Sequence, residues 1–534
     1  MEYTLSGMND VSSPESATYP NTGLTSHLSD PPLKPLGEWG SALRQVFSFP
    51  ALLLTLLITT VFVMGRNGLS DPDIWWHLRN AEYLLANHRF IRVDMYSFTL
   101  AGHPWVNPEW LGEIPYYLAW RAGGLVGIKL VMLVSLAVIF LGLLYLCNKS
   151  SGNPKAAALA CYFAVFLAVV NFGPRTILFG YCFLVMLLII LERFRSCGKG
   201  PLWILPPLFC LWTNTHGSWL IGLVVFGLIV AAGFVEGRWG RIEARRWSAK
   251  QSRNLMLAMG GSLAAALVNP YGLGLILWSI EYPFRLKLNV EHVQEWTSVN
   301  FHDPRGKVAL LLIIALLLGA LLRDYRWQLT ELVLVLFALY TGLTHIRFLF
   351  LAAILTAPLL AKFLDFVPPY QPEIDKHVLN ALLMAGMTAF IFYGFPSSAQ
   401  LQESIENEYP AEILPYLSSH PPSGPVLNDY LWGGYLGWED RNFKCFIDSR
   451  VDIFEYAGVF KDYLDLVGIQ NPNAVLDKYG IRYVLFPPTE ELSYVLRRDP
   501  GWKVVYSGKI STLFERVGNP PPAKAGNSSG VQGM

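Results

Sequence analysis

Long apolar runs separated by short polar stretches dominate the pattern of hydrophobic and polar positions along the chain. A helix needs about 20 mostly apolar residues to cross the hydrocarbon core of a bilayer. The pattern therefore predicts a polytopic α-helical membrane domain with about eleven spans. The predicted spans are residues 47–65, 125–147, 155–172, 176–194, 201–216, 218–235, 254–271, 306–322, 328–344, 347–363 and 376–395.

The composition agrees with a membrane protein. Of 534 residues, 53% are hydrophobic and 15% are charged, whereas soluble globular proteins carry about 25% charged residues. The net charge of +1 gives no indication of a nucleic-acid partner. The six cysteines form no CxxC pair, which indicates packing residues rather than a disulfide framework or a metal site.

The distribution of lysine and arginine predicts the orientation of the chain, because short cytoplasmic loops are enriched in both. The strongest cluster lies between the sixth and seventh predicted spans. It comprises Arg238, Arg241, Arg245, Arg246, Lys250 and Arg253. Placing it inside puts the N-terminus in the cytoplasm. We therefore expect a multi-pass protein of the inner (plasma) membrane, with the first loop (66–124) and everything after residue 395 on the extracytoplasmic or periplasmic side.

Four regions follow from this arrangement. Residues 1–46 are predicted to be a disordered cytoplasmic segment, 47–395 the transmembrane domain, 396–517 a small extracytoplasmic α/β domain, and 518–534 a disordered tail. In the α/β domain, "AVLDKYGIRYVLF" predicts a helix followed by a strand, and the end of the chain a hairpin around Ser507–Gly508. "GGY" (433–435) predicts a turn.

The segment "FIDSRVD" of this domain carries three charged residues that are predicted to lie at a strand end. They are Asp448, Arg450 and Asp452. One interpretation is a site for an acceptor or a donor headgroup, and the simpler one is an Asp–Arg pair inside the fold.

Polar residues concentrate at the outer ends of the predicted spans. Ionisable groups at membrane depth are costly and usually line a cavity or a pathway. Although far apart in sequence, these residues share one face under the predicted topology, which predicts an outward-facing polar cavity roofed by the first loop. They are Asp71, Asp73, Arg175, Asn214, His216, Glu295, His345 and Arg347.

Each of these groups also has a simpler interpretation. His216 is compatible with a structural hydrogen bond, and Arg175 and Arg347 with side chains that reach lipid headgroups. "NPYG" (269–272) is a turn signal, and Glu295 with the following tryptophan suits an interfacial anchor. The coincidence of all of them on one face favours a site.

The first loop predicts two interfacial helices, over 74–87 and 110–120, with Trp75 and Trp76 seating the first in the membrane surface. The loop also supplies His77 and Glu109 as polar candidates.

The pair Asp71 and Asp73 suits two kinds of chemistry. One carboxylate can act as a general base while its neighbour orients it or holds a divalent cation such as Mg²⁺ or Mn²⁺. Alternatively, both coordinate a cation that neutralises a phosphate leaving group. Arg175 or Arg347 would complement either by binding a phosphate bidentately.

An acidic motif directly after the first span, followed by two interfacial helices, resembles the GT-C superfamily of integral-membrane glycosyltransferases. "LWTNTHGSWLIG", "NPYG" and "EW" are similar to a bacterial branch of it. The resemblance covers residues 47 to about 147 best. Two departures are visible: "DPD" replaces the Asp-Glu pair of the mannosyl- and aminoarabinose-transferase branches, and their Pro-Pro-Leu passage is matched only loosely by "HPWVNPEWL".

The resemblance implies transfer of a sugar from a polyprenyl-phosphate donor to an extracytoplasmic acceptor, which is a cell-envelope glycan, a lipid or a protein, in contact with membrane lipids. It implies that Asp71 and Asp73 are the catalytic acids. The candidates for contacts with the donor phosphate or the substrate are Arg175, His216, Asn214, His345, Arg347, Glu295, Glu109 and His77.

Two other classes remain open. A lipid or polysaccharide transporter would have charges near the middle of its spans and repeated halves, but no internal repeat is evident and Lys129 is the nearest such charge. A non-catalytic envelope-assembly protein on a GT-C-like scaffold is equally compatible with the sequence, because a fold does not fix a function.

Reporter tags placed after Ser150 and after Ser419 test the predicted topology. We expect the two tags to report opposite sides of the membrane, and a control tag after Arg246 to agree with the first. If the tags after Ser150 and Ser419 report the same side, the polar residues no longer share one face.

Overall fold

The computed structural model describes residues 38–69, 71–518 and 521. The chain divides into two units, residues 1–46 and 47–534. In the first, Glu38–Val46 form helix α1, so the disorder predicted over 1–46 is wrong for these nine residues. The disorder predicted for residues 1–37, and for the tail except residues 518 and 521, falls outside the described residues.

Each of the eleven apolar runs contains a helix, as predicted. The helices from 47 to 395 are α2 (Phe49–Gly65), α3 (Asp73–Asn87), α4 (Trp110–Ser151), α5 (Pro154–Ala168), α6 (Ile177–Cys197), α7 (Leu205–Thr215), α8 (Trp219–Ala232), α9 (Ala249–Ala266), α10 (Leu273–Arg285), α11 (Lys287–His292), α12 (Pro304–Leu322), α13 (Leu329–Thr344), α14 (Leu349–Phe363) and α15 (His377–Tyr393).

The number of spans is not confirmed at eleven. Among the described residues, six helical stretches are long and apolar enough to cross a membrane: Ala42–Gly65, Trp110–Ser151, Pro154–Asn171, Ile177–Cys197, Pro304–Leu322 and Ile346–Phe363. The pair His377–Tyr393 and Ser398–Glu406 adds a seventh if its 58° bend lies within one span. Helices α8 and α13 are apolar but shorter.

Helix α14 forms the centre of the transmembrane domain. Most of its side chains are buried, and it packs against α4, α5 and α13. A helix that is apolar on all sides belongs inside a bundle. Helix α5 approaches it closely because alanines fill the contact face, and small residues let helices approach when no hydrophobic effect drives them together.

The first loop differs from the prediction of two helices lying on the membrane surface. Helix α3 matches the predicted 74–87 closely, but Trp75 and Trp76 are buried inside the protein. Trp75 packs edge-on against Tyr409 and Tyr435 of the C-terminal domain, so the prediction that these tryptophans sit in the interface is wrong. The C-terminal domain covers this helix, which the local sequence pattern did not indicate.

The second predicted interfacial helix, 110–120, is the first part of α4. It joins the following apolar run across a break at Gly123 and Gly124. Gly124 has φ 58° and ψ −140°, a backbone region that is essentially restricted to glycine. The two glycines therefore allow α4 to change direction between the loop and the span.

A small sheet contains part of the basic cluster. Strand β1 (Gly237–Trp239) pairs antiparallel with β2 (Ile242–Ala244), and β2 pairs parallel with β3 (Trp327–Gln328).

The C-terminal domain has the predicted α/β character. Its elements are α16 (Ser398–Glu406), α17 (Leu414–Ser419), β4 (Val426–Asn428), α18 (Gly433–Glu439), α19 (Val451–Tyr456), α20 (Val459–Val467), α21 (Pro472–Lys478), β5 (Tyr483–Phe486), α22 (Glu491–Leu496), β6 (Trp502–Ser507) and β7 (Thr512–Arg516). The sheet order is β4-β5-β7-β6; β4 is parallel to β5, and the other pairs are antiparallel.

Two local predictions in this domain are confirmed and two are wrong. The helix–strand pair is α21 followed by β5, and the terminal hairpin is β6–β7. The "GGY" turn instead begins helix α18. Its glycines suit close packing, because a Cβ at Gly433 would lie 2.1 Å from the carbonyl oxygen of Ile447. Asp448 and Arg450 precede helix α19 rather than ending a strand.

Arg450 joins this domain to the first loop. It forms an ion pair with Asp448, as the simpler interpretation predicted, and a second one with Asp94 of the first loop at 2.7 Å. All three side chains are at most 1% exposed. Backbone hydrogen bonds between Tyr96 and Cys445 and between Cys445 and Phe98 run beside them. The first loop and the C-terminal domain therefore form one packed body above the helices.

Candidate active site

Lys129 fixes the chain that leads to the acidic motif. Its side chain is fully buried in α4, and its ammonium group donates to the carbonyl oxygens of Gly65 and Asn67, at 3.0 and 3.4 Å, and of Gly68. The last carbonyls of a helix lack intrahelical partners and carry partial negative charge. Lys129, which lies near the start of the second predicted span, thus stabilises the end of α2 and the segment that leads to Asp71.

Asp71 is the buried acid of the motif. It is 1% exposed, and its carboxylate accepts from the Nε of Arg175 and, at 3.0 Å, from the backbone N–H of Asp73. Burial raises the pKa of Asp71 to about 6, and the Arg175 charge acts in the opposite direction. The Asp71 carboxylate is therefore held by Arg175, and its pKa lies close to neutral pH.

Arg175 bridges two carboxylates from distant segments. Its Nη1 pairs with Glu295, while its Nε holds Asp71. Its backbone carbonyl accepts from the Tyr116 hydroxyl at 3.1 Å. Burial would raise the pKa of Glu295, but Arg175 and Arg347 lower it overall. The interpretation that Arg175 reaches lipid headgroups is wrong.

Asp73 is the more accessible acid of the motif. It is half-buried, and one carboxylate oxygen accepts from the indole N–H of Trp76 at 3.1 Å. The same N–H lies 3.1 Å from the Ser449 hydroxyl of the C-terminal domain. Within residues 71–518 Asp73 has no ion pair, so its carboxylate is less committed than that of Asp71.

A second acidic group lies in the first loop, around His77. The imidazole Nδ1 lies 3.1 Å from Glu113 and Nε2 lies 3.3 Å from Glu109. Glu113 is 1% exposed and also accepts from the amides of Asn80 and Asn107. These donors fix the Glu113 side chain, which orients the His77 ring with Nε2 directed at Glu109.

Glu109 is the last residue in the series of contacts from Glu113 through His77. Its carboxylate accepts from the Thr176 hydroxyl at 2.6 Å and is 19% exposed. Burial raises the pKa of Glu109 to about 7, opposed by His77. Burial lowers the pKa of His77, but its hydrogen bond to Glu113 and the charge of Glu109 raise it overall. Glu109 and His77 can therefore share a proton near neutral pH.

His216 contacts the same carboxylate in its neutral form. Its Nδ1 accepts from the backbone N–H of Ser218 at 2.9 Å, so the proton is on Nε2, which lies 3.5 Å from Glu109. Burial, reinforced by Arg347 and His77, lowers the pKa of His216 to about 3. His216 is thus a neutral donor beside Glu109.

Arg347 and His345 both contact Trp296, the residue after Glu295. The Arg347 guanidinium lies 4.2 Å from the centre of the Trp296 ring, and its buried Nε has no hydrogen-bond partner among the described residues. It has no ion pair in that part of the chain. His345 donates through Nδ1 to the Trp296 carbonyl at 2.7 Å. His345 thus positions the segment whose tryptophan supports Arg347.

Asn214 connects two helices and a loop through hydrogen bonds. Its amide donates to the carbonyls of Cys210 and Val268, both at 2.8 Å, and accepts from the Trp110 indole at 2.9 Å. It holds the start of α4 against the end of α7.

All ten predicted site residues therefore lie in or beside one network. The sequence missed the residues that order it, because Asn80, Asn107, Thr176 and Ser449 are neutral and match no motif. Asp452, which the sequence grouped with Asp448 and Arg450, lies in helix α19, and burial raises its pKa to about 7 despite the nearby Arg450.

The pair Asp71–Asp73 does not fit a divalent cation in this arrangement. Both oxygens of Asp71 accept hydrogen bonds, from Arg175 and from the Asp73 N–H. Among the described residues, no group of three or more His, Cys, Asp or Glu side chains is arranged to hold a metal ion. The guanidinium of Arg175 supplies the positive charge between the carboxylates.

Comparison with solved structures decides the fold. The archaeal oligosaccharyltransferase AglB from Archaeoglobus fulgidus, in complex with an inhibitory peptide and a dolichol-phosphate, matches with a TM-score of 0.50 at 12% identity, over 84% of this chain and 69% of that one. The chain shares the fold of this oligosaccharyltransferase, as the sequence resemblance to the GT-C superfamily implied. ArnT from Cupriavidus metallidurans bound to undecaprenyl phosphate has a TM-score of 0.47 at 13% identity, over 89% and 99% of the chains.

Sequence comparison adds little to the GT-C assignment. No family model matches the chain. The probable glycine dehydrogenase (decarboxylating) subunit 1 from Thermoplasma acidophilum is 24% identical over 161 residues, which cover 26% of this chain and 37% of that protein. The chain thus matches little more than a third of the length of this relative, which gives no basis for assigning its reaction here.

The acidic network around Glu109 predicts a specific dependence of stability on pH. The pKa of Glu109 is raised on folding, from 4.5 to about 7, so its contribution is full below the unfolded pKa and is lost as the pH rises through about 7. The raised pKa of His77 acts in the same direction. We expect the denaturation midpoint to fall less between pH 5 and pH 8 in Glu109→Gln than in the wild type, measured by scanning fluorimetry.

Glu236→Gln is the matched control, because it removes an exposed carboxylate away from the site. It should show the wild-type fall. An equal fall in Glu109→Gln and Glu236→Gln would contradict the burial of a titrating Glu109.

Proposed function

We propose that this GT-C protein is a membrane glycosyltransferase that moves a sugar from a polyprenyl-phosphate-linked donor to an extracytoplasmic acceptor. The observation that carries the proposal is a polar network in which a half-buried Asp73 lies beside the Asp71–Arg175–Glu295 ion network and near Arg347, whose buried Nε has no hydrogen-bond partner among the described residues. A base and phosphate-binding cations are what such a transfer requires.

Asp73 is the residue we assign as general base. Asp71 is committed to Arg175, whereas Asp73 keeps an oxygen that is not used by an ion pair among the described residues. In the reaction, Asp73 takes the proton of the acceptor hydroxyl or amine as the acceptor attacks the anomeric carbon. The bond from that carbon to the phosphate oxygen breaks, and the polyprenyl phosphate leaves with both electrons of the bond.

Arg347 is the residue we assign to the leaving phosphate, with Arg175 as its neighbour. An arginine fork binds two phosphate oxygens at once, and Arg347 has a buried Nε with no partner among residues 71–518. Phosphate binding would satisfy that group and offset the charge that develops on the departing oxygen. The dolichol-phosphate bound by the structurally similar AglB supports a lipid-linked donor.

The Glu113–His77–Glu109 chain provides a place for protons near the reaction. Glu113 orients His77, and His77 contacts Glu109, which holds a proton part of the time at neutral pH because burial raises its pKa to about 7. We assign it the role of keeping the local charge balanced when Asp73 becomes protonated. This role concerns protons at named side chains and needs no metal ion.

The location of the site supports an acceptor on the outer side. It lies at the helix ends, under the first loop and the C-terminal domain, which are joined through Asp94 and Arg450. We therefore propose an inner-membrane protein with a cytoplasmic N-terminus and a periplasmic site, whose acceptor is an envelope glycan, a lipid or a protein.

Asp71→Asn and Asp73→Asn test the proposal in the producing cell. Loss of a general base costs about 10²–10⁴-fold in rate, so we expect Asp73→Asn to remove one envelope sugar, as a null strain does, at unchanged protein level. Asp71→Asn should do the same because it releases Arg175. The measurement is mass spectrometry of envelope glycans and lipids.

Asp365→Asn is the matched control, since Asp365 is 60% exposed and pairs with Arg323 away from the site. When it is expressed in the null strain, this variant should restore the wild-type glycan profile. Normal profiles in both site variants would contradict an enzyme and favour a non-catalytic assembly protein. Accumulation of an unmodified lipid-linked glycan on the inner face would favour the transporter.

A further inference from the structure

A cavity of about 770 Å³ borders helix α3 at Trp75. Helices α4, α16 and α18 form its walls, and Trp75 of α3 contributes to its lining. None of the acids of the network lines it. Ligand sites in proteins typically measure about 300–1,000 Å³. The volume of this cavity falls in that range.

Helices α16 and α4 shape this cavity. On α16, Ser398, Gln402 and Ile405 follow one another at helical spacing and face the same space. On α4, the break at Gly124 turns the helix away, and a Cβ there would meet nothing within 4 Å. The cavity therefore arises where two helices bend at the level of the first loop.

Aromatic side chains make up one part of the lining. They are Trp75, Trp120, Tyr435 and Trp438. Trp75 is 2% exposed, whereas Trp120 is half-buried, so the aromatic part of the lining extends from the core to the rim of the cavity. Flat rings of this kind can pack against the apolar face of a ligand.

The polar part of the lining carries both signs of charge. Glu439 and Arg441 lie on the same wall, with the amide of Gln402 opposite. Arg441 stacks at 3.9 Å on the ring of Trp438, and its Nε pairs with Glu82 at 3.0 Å. A wall with one carboxylate and one guanidinium has no net preference for an anion. It offers donors and acceptors to a neutral ligand rich in hydroxyl groups.

We propose that this cavity is a saccharide-binding site, separate from the acidic site. Sugar rings have apolar C–H faces that pack on aromatic side chains, and hydroxyl groups that hydrogen-bond to carboxylate, amide and guanidinium groups; the lining provides both. The ligand class is a neutral oligosaccharide of two or three units. The inference goes beyond the proposed function, since binding here requires no transfer.

Direct binding of oligosaccharides tests the proposal. The full chain is placed in phospholipid nanodiscs prepared without sugar-headed detergents, and is titrated with maltotriose, cellotriose, chitotriose and mannotriose by calorimetry and saturation-transfer NMR. We expect saturable binding of at least one, at concentrations up to about 10 mM, where a site with a Kd of about 1 mM is nine-tenths filled.

Two variants locate the site. Trp120→Ala removes a half-buried ring of the lining, and Ser398→Trp fills the cavity from its exposed rim without removing any core side chain. We expect each to weaken binding at least about tenfold. Trp203→Ala, which removes a 76% exposed tryptophan elsewhere, should bind like the wild type. Asp73→Asn should also retain binding, because Asp73 does not line the cavity.

Three outcomes would overturn the proposal. One is no saturable binding of any of the four trisaccharides. Another is wild-type affinity in both Trp120→Ala and Ser398→Trp. The third is a phospholipid that co-purifies with the wild type in native mass spectrometry and is lost in Ser398→Trp, with no saccharide bound. Loss of transfer in Asp73→Asn with saccharide binding intact would separate the two sites.

Discussion

The burial of Arg175 between Asp71 and Glu295 is the interaction on which the site depends. It joins the segment after α2, the turn between α5 and α6, and the loop before α12 in one ion network. Taking charges out of water costs several kcal/mol per ion and is offset only when the geometry supplies partners. Removing Arg175 would leave two carboxylates without the cation that pairs them. The network therefore fixes the relative positions of three segments that share no backbone pairing among the described residues.

The surrounding structure supports this network from both sides. Below it, Lys129 holds the carbonyls that end α2 and so fixes the entry to Asp71. Above it, Arg450 ties the C-terminal domain to Asp94, and Ser449 reaches the indole of Trp76. The result is an acid that is held, Asp71, beside one that is freer, Asp73. This difference gives a physical reason to choose between two carboxylates that the sequence presents as equivalent.

Much of the fold could be predicted from the sequence, because long apolar runs in a membrane form helices, which satisfy their own backbone hydrogen bonds. Every run contains a helix, and α3, the β6–β7 hairpin and the α21–β5 pair lie where the pattern places them. The predictions were wrong where tertiary contacts override local pattern. Trp75 and Trp76 looked like interfacial anchors, but the C-terminal domain covers them. "GGY" looked like a turn, but its glycines let α18 pack closely on Ile447. The ten candidate site residues were found through topology, whereas Glu113 and its amide partners became significant only through their distances.

The most direct test of the account is the binding of a lipid phosphate by the polar network. Purified protein is offered undecaprenyl phosphate and, as the matched ligand without phosphate, undecaprenol, and bound lipid is counted by native mass spectrometry. We expect one undecaprenyl phosphate per chain, little undecaprenol, and an affinity at least about tenfold lower in Arg347→Gln than in the control Arg193→Gln, since a charge-assisted hydrogen bond contributes about 1.5–3 kcal/mol. Equal binding of the two lipids, or equal affinity in the two variants, would contradict the assignment of this network to a phosphate-linked donor.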